Sequence, residues 1–127
     1  MFGALDISTS ALVAQRTRLN VISANLANQF SVYDDTGAYN PYRRRDVVFE
    51  AGSADGNPGG VHVKEILVDR APLRSVYVGE GHPLADENGN MKMPNVDPMM
   101  EMVNAVEASR AYEANITAVE ATKSMLN

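Results

Sequence analysis

The chain has 127 residues, with 16 acidic and 11 basic side chains that give a formal net charge of −5. This length supports one domain with a modest core, and a hydrophobic content of 45% excludes a disordered chain. The negative charge opposes attraction to nucleic acid and to anionic membranes, so neither is expected as a partner. Because cysteine is absent, disulfide bonds and thiol chemistry are also excluded.

The first segment, from about Ala4 to Asn28, predicts an amphipathic helix. Its leucines recur every seven residues and therefore lie along one side, with Ile22 beside them. The four leucines are Leu5, Leu12, Leu19 and Leu26. Polar side chains interrupt this pattern, unlike the apolar block of a cleavable signal peptide, and no window approaches the roughly 18 apolar residues of a membrane span. The chain is therefore expected neither to carry a cleaved signal nor to span a membrane.

This helix ends in the stretch SANLAN, residues 23–28, which contains two asparagines. Asn28 is interpreted as the stop, because asparagine adopts the left-handed conformation and binds the carbonyls left unpaired at a helix end. Asn25 has two interpretations. It is either a solvated residue, which is favoured because it lies one position off the leucine line, or a buried amide that pairs with a neighbouring helix and fixes its register.

The central segment predicts a few short strands joined by loops. Residues 47–49, 61–68 and 75–78 are β-branched or aromatic and are bounded by glycine-rich turns. Residues 61–64 alternate in polarity, which predicts one exposed face and makes His62 a surface residue. Residues 30–41 and 80–95 are rich in Gly, Asn, Asp and Pro and predict loops.

A second helix is predicted over residues 98–127. Asp97 suits the N-cap, and Pro98 suits the first helical position, where its missing N–H would be unpaired anyway. Glu101 comes one residue too late to complete a capping box. Apolar residues at spacings of three, four and seven are predicted to form the buried seam of this helix: Met102, Ala105, Tyr112, Ile116, Val119 and Leu126.

Signals for catalysis or metal binding are weak. His62 and His82 lack the clustered partners of a zinc site or an activated nucleophile. Residues 86–89 resemble part of a calcium loop, but the glycine comes two positions early and Asp97 stands where a bidentate glutamate is needed. A turn is the preferred interpretation, and we expect no catalytic residue, no metal and no cofactor.

Three consecutive arginines, Arg43, Arg44 and Arg45, interrupt the acidic composition. They lack the interleaved aromatic residues of a nucleic-acid site, so pairing with carboxylates is expected, either internally or on a neighbouring subunit. A subunit contact is favoured over a solvated cluster.

Energetic considerations require a partner for the N-terminal helix, because isolated helices of this length are marginal in water. The C-terminal helix is the nearest candidate. The predicted fold is therefore α+β, with the terminal helices packed as an antiparallel, coiled-coil-like pair around a small β-rich central insert. The expected division is residues 1–30, 31–97 and 98–127, and apolar surface remains for neighbours.

SANLAN, PYRRRDVVFE at 41–50, HPLADENGNMKMPNVD at 82–97 and EMVNAVEASRAYEANI at 101–116 together resemble the rod proteins of the bacterial flagellar basal body. The first stretch marks the wider family, and the three later ones point to the proximal rod. The resemblance covers nearly the whole chain. It implies a structural subunit whose terminal helices assemble into a hollow, torque-transmitting shaft in the periplasm, after export without cleavage.

The same resemblance implies a helical homo- or hetero-oligomer with other flagellar rod subunits and copies of the chain itself, and contacts with the export apparatus or basal-body ring components. It also implies that the isolated chain has low helicity, which rises on assembly. The alternative is a soluble coiled-coil adaptor that binds one partner helix. A rod subunit forms open-ended assemblies, whereas an adaptor forms a closed complex of fixed stoichiometry.

Overall fold

Two long helices, one at each end of the chain, pack together and a small β insert lies between them in sequence in the computed structural model, which describes residues 2–56 and 58–126. Helix α1 spans Phe2–Ala27 and helix α2 spans Pro98–Leu126. They run antiparallel, since Arg18 Nη2 lies 3.6 Å from Glu107 Oε1, whereas Asn25, further along α1, contacts Glu101, nearer the start of α2. The predicted α+β fold with an antiparallel helical pair is confirmed.

The insert contains two antiparallel pairs of strands rather than one sheet. Strand β1 (Arg45–Ala51) pairs with β2 (Val61–Val68), with a register shift between Val48 and Phe49. Strand β3 (Arg74–Tyr77) pairs with β4 (Asn90–Met93). The first three strands confirm the sequence prediction.

Strand β4 contradicts the prediction of a loop over residues 80–95. The turn at 86–89 reverses the chain, and Met91 is then buried in the insert. Asparagine, lysine and unbranched methionine have little strand propensity, so tertiary packing decides this element. His62, predicted as a surface residue, is half-buried, and its Nδ1 lies 2.7 Å from the Gly52 carbonyl oxygen.

The helix ends follow the capping predictions with one exception. Asp97 caps α2, since its Oδ1 accepts the Met99 N–H at 3.0 Å, and α2 begins at Pro98 as predicted. Asn28 follows the last residue of α1, and its side-chain amide donates to the Ala24 carbonyl at 2.9 Å. The expected left-handed conformation is wrong, because no described non-glycine residue has a positive φ. The amide binds the helix-end carbonyl without it.

The core between the helices is small. Its fully buried apolar side chains include two alanines and one isoleucine: Ala14, Ile22 and Ala108. The four predicted leucines are only half-buried, so they flank this contact rather than form its centre. Small side chains let the two backbones approach closely but remove little apolar area from water.

The β1–β2 hairpin lies against the first turns of α1. Ser10 Oγ accepts the Val61 N–H at 3.1 Å and donates to the Ile7 carbonyl at 2.7 Å. Gly60 has a φ of 77°, and a Cβ there would lie 2.6 Å from Ser10 Oγ. Glycine is therefore required at this contact both by its backbone angle and by space.

Candidate assembly interface

Asn25 is the centre of a buried hydrogen-bond network that joins the helices to the insert. It is 0% exposed, and its Nδ2 donates to the Arg45 carbonyl at 2.9 Å and to Glu101 Oε2 at 3.3 Å. Its Oδ1 accepts from the Arg45 N–H at 2.9 Å and from the Tyr42 hydroxyl at 2.8 Å. The favoured interpretation of Asn25 as a solvated residue is wrong. All four hydrogen-bonding positions of the amide are used, as burial demands.

Glu101 provides the carboxylate of this network from the first turns of α2. Its side chain is 0% exposed, and Arg44 Nε donates to its Oε1 in a charge-assisted hydrogen bond. The local sequence did not predict this role, because Glu101 was interpreted only as a residue that comes too late to complete a capping box. A glutamate in an otherwise apolar first turn, matched by an arginine cluster elsewhere, was the available signal.

Arg44 extends the network into the insert. Its Nη1 lies 3.5 Å from Asp69 Oδ2 and 3.8 Å from Asp46 Oδ2, and its N–H donates to Asn95 Oδ1 at 2.8 Å. Burial alone would lower the pKa of Arg44, but its hydrogen bond and attraction to Glu101 outweigh burial and raise that pKa above its ordinary value. The guanidinium therefore stays charged.

Together Asn25, Arg44, Glu101, Tyr42 and Asn95 form what we call the junction network. It connects the end of α1, the lead into β1 and the start of α2 at one point. Because each buried polar group has a partner, the network fixes the orientation of the insert relative to the helices.

The three arginines therefore have separate roles. The Arg44 guanidinium pairs with carboxylates of its own chain, which is one of the two predicted kinds of pairing. Arg43 Nη1 donates to the Ala71 carbonyl at 2.9 Å. The Arg45 guanidinium lies over the Tyr42 ring, 5.6 Å from its centroid. Burial raises the pKa of Tyr42 above its ordinary value, although the charge of Arg45 opposes this.

Within the single chain, the predicted seam of α2 is half-buried at three residues and exposed at the other three. Ala105, Tyr112 and Val119 are half-buried. Three others are exposed, to 56%, 36% and 37% respectively: Met102, Ile116 and Leu126. The buried residues of α2 are instead Glu101, which belongs to the junction network, and Ala108.

Opposite this buried face, α2 carries exposed apolar side chains. They recur at i, i+3, i+4 and i+7 and so share one helix face, and each is more than half exposed: Met99 71%, Met102 56%, Val103 57% and Val106 54%. We call them the apolar ridge. The cleft along them ends at Glu107 and Arg110. Met102 was predicted in the seam of α2, whereas the structure places it on this exposed face.

Within residues 2–56 and 58–126 there is no group of three or more His, Asp or Glu side chains placed to hold a metal ion. Neither α1 nor α2 has an apolar stretch long enough to cross a bilayer, over the part of the chain that the structure describes. Asp86 Oδ1 accepts the N–H groups of Asn88 and Asn90, which confirms the predicted turn.

Comparison with known proteins agrees with this architecture. A family model described as flagella basal body rod protein matches residues 5–32, and one described as flagellar basal body rod FlgEFG protein C-terminal matches residues 87–127. These ranges contain most of α1 and all described residues of α2.

Curated relatives match nearly the full length. The flagellar basal-body rod protein FlgC of Salmonella typhimurium is 50% identical over 95% of this chain and 89% of the relative. FlgC of Escherichia coli O157:H7 is 48% identical over the same shares, and FlgC of Bacillus subtilis is 41% identical over 98% of this chain and 93% of the relative. The chain therefore belongs to the flagellar basal-body rod protein family. Within it, the chain is FlgC-like, which confirms the resemblance seen in the sequence.

Proposed function

We propose that this structural subunit of the flagellar basal-body rod assembles by packing its apolar ridge against the terminal helices of neighbouring rod subunits, including copies of itself. The ridge carries the proposal. Four large apolar side chains on one face of a helix, each more than half exposed, form a contiguous patch of the kind that marks protein interaction sites.

The opposite face of α2 supports the same interpretation. The helices bury few large apolar side chains against each other, so most of the driving force for ordering 26 residues in α1 and 29 in α2 must come from neighbours. Subunits that meet along such helices resist torsion together, because rotation would have to break many side-chain contacts at once.

Further parts of this proposal rest on the family. They comprise a hollow shaft, a location in the periplasm, export without a cleaved signal, contacts with export-apparatus or ring components, and no enzymatic activity. The division into residues 1–30, 31–97 and 98–127 belongs to it as well. In this division the two terminal segments form the assembling part, and the junction network links them to the central segment.

Replacement of Val106 by glutamate tests the ridge. Val106→Glu places a charge in the proposed contact, so the critical concentration for assembly should rise by about tenfold or more, which corresponds to at least about 1.4 kcal/mol. Because Val106 is exposed, circular dichroism of the dilute chain should not change. Ala114→Glu is the matched control, since it adds the same side chain at an exposed α2 position beyond the ridge.

Sedimentation of the wild-type chain against concentration gives the readout. Equal effects of the two substitutions would contradict the ridge as the assembly surface. A closed complex whose stoichiometry does not change with concentration in light scattering would favour the adaptor function instead. We also expect helicity to rise on assembly, so a dilute chain with both helices fully formed would count against the dependence on neighbours.

A further inference from the structure

A second surface, away from the ridge, has the chemistry of a contact site. A cleft of about 420 Å³ lies between the loop that follows α1 and the end of β2. Its walls include Tyr42 and five charged side chains, which are Arg43, Arg45, Arg70, Asp34 and Asp35. We call this the arginine cleft. Arg44, which the junction network uses, is not among its lining residues.

The arginines of the cleft retain unused binding capacity. Within residues 2–56 and 58–126, no carboxylate pairs with Arg45 or Arg70, and Arg70 is exposed. Asn25 holds both backbone groups of Arg45, and Tyr42 lies under its guanidinium, so this donor fork is oriented in advance. A planar guanidinium with free N–H groups binds a carboxylate through two parallel hydrogen bonds.

The aspartates limit what the cleft accepts. Asp34 is occupied by its own turn, since its Oδ1 accepts the Thr36 hydroxyl at 2.6 Å and the Ala38 N–H at 3.1 Å. Three arginines against two aspartates leave one net positive charge. This balance favours one or two carboxylates, whereas the aspartates would repel a polyanion such as nucleic acid or an anionic lipid surface.

The chain itself carries exposed carboxylates on a projecting element. The loop between β3 and β4 contains Glu80 and Glu87, which are both exposed. No basic side chain pairs with either of them in the described parts of the chain. Asp86 accepts two backbone N–H groups and thereby shapes the turn that presents Glu87. A loop tip of this kind enters a concave site more readily than a helix or strand face.

We propose that the arginine cleft receives the β3–β4 loop of a second copy of this chain, with Arg45 and Arg70 binding the carboxylates of Glu80 and Glu87. The inference rests on the proposed function, because it supplies a lateral contact between assembled subunits. The cleft and the loop are different surfaces, so the contact is head-to-tail and repeats from one subunit to the next, giving a ring or an open helical array according to the rotation between subunits. Each chain has a net charge of −5, so copies repel each other, and pairing carboxylates with arginines offsets this repulsion at the contact.

Charge exchange provides the test. Arg70→Glu and Glu87→Arg should each raise the critical concentration for assembly of the full chain about tenfold, and the double variant should recover most of this loss. Both positions are exposed, so folding should not change. Glu65→Arg, at an exposed carboxylate on β2, controls for the general effect of reducing the negative charge.

Cross-linking identifies the partner. The chain has no cysteine, so Arg70→Cys and Glu87→Cys introduce the sole thiols of two separate preparations. A short bismaleimide linker suits this pair, because two long side chains hold their backbones further apart than a disulfide spans. In the mixed, assembled pellet we expect a covalent dimer, and an Arg70→Cys and Glu65→Cys mixture should give none.

The outcomes separate this inference from the proposed function. Assembly of the wild-type chain, measured first, supports the proposed function. If assembly proceeds without the cross-link between positions 70 and 87, or if the double charge exchange does not recover assembly, the loop contact is refuted while the ridge is not.

Discussion

Replacement of Arg44 by glutamine is expected to destabilise the junction strongly, because it leaves the carboxylate of Glu101 buried without its cation. Removing one partner of a buried ion pair costs about 3–5 kcal/mol. Two features reduce this figure here. The Arg44 side chain is 22% exposed, and Asn25 Nδ2 still donates to Glu101 after the change. We therefore expect a loss of about 2–3 kcal/mol in the free energy of unfolding.

Urea unfolding followed by the near-ultraviolet dichroism of tyrosine measures this loss, since Tyr42 lies in the junction network and the chain has no tryptophan. Arg43→Gln is the matched control. It removes a hydrogen bond to the Ala71 carbonyl but strands no buried charge, so about 0.5–1.5 kcal/mol is expected. Equal losses for the two variants would refute the central role assigned to the ion pair.

A double-mutant cycle measures the coupling between Arg44 and Glu101. Arg44→Met alone should cost more than Arg44→Met combined with Glu101→Met, because the second change removes the stranded carboxylate. Additive losses would show that the two side chains do not depend on each other.

Three further predictions concern single contacts. Asn25→Ala should cost about 2–3 kcal/mol of unfolding free energy, because it leaves buried polar groups unpaired. Asn28→Ala loses only exposed contacts at the helix end and should cost under about 1 kcal/mol in the same urea assay. Similar losses for the two variants would contradict the burial of Asn25. Gly60→Ala should lower the melting temperature more than Gly56→Ala. Both glycines have a positive φ, but only a Cβ at position 60 would collide with the Ser10 side chain. Ser10→Ala should therefore remove the difference between the two variants. Tyr42 has a raised pKa, so its contribution to stability is present below about pH 10 and disappears as the pH rises through its folded pKa. In an absorbance titration the late ionisation of Tyr42 should therefore be lost in Tyr42→Phe.

The sequence predicted the elements of the fold because their signals are local. Helix periodicity, the cap at Asp97 and Pro98, and the β-branched runs of the first three strands all depend on neighbouring residues. Strand β4 escaped prediction because its pairing with β3, and not its composition, makes it a strand.

The junction network could not be predicted in the same way. Asn25, Arg44 and Glu101 are far apart in sequence, and each has an ordinary local explanation as a solvated amide, a basic cluster or an imperfect cap. Only the pairing of α1 with α2 brings them together. That pairing also sets the rotation of α2, and for this reason Met102 and Ile116 of the predicted seam are exposed in the single chain.

The position of the junction network at one end of the helical pair has a geometric consequence. A helix of 29 residues is about 44 Å long, so α2 acts as a lever whose pivot lies near Glu101. Glu101 and Leu126 lie about 38 Å apart along the helix axis, so a rotation of about 5° at that pivot would move the far tip by about 3 Å, nearly the width of a methyl group. The angular stiffness of the junction network thus determines how accurately the far end of α2 is positioned for contact with a neighbouring subunit.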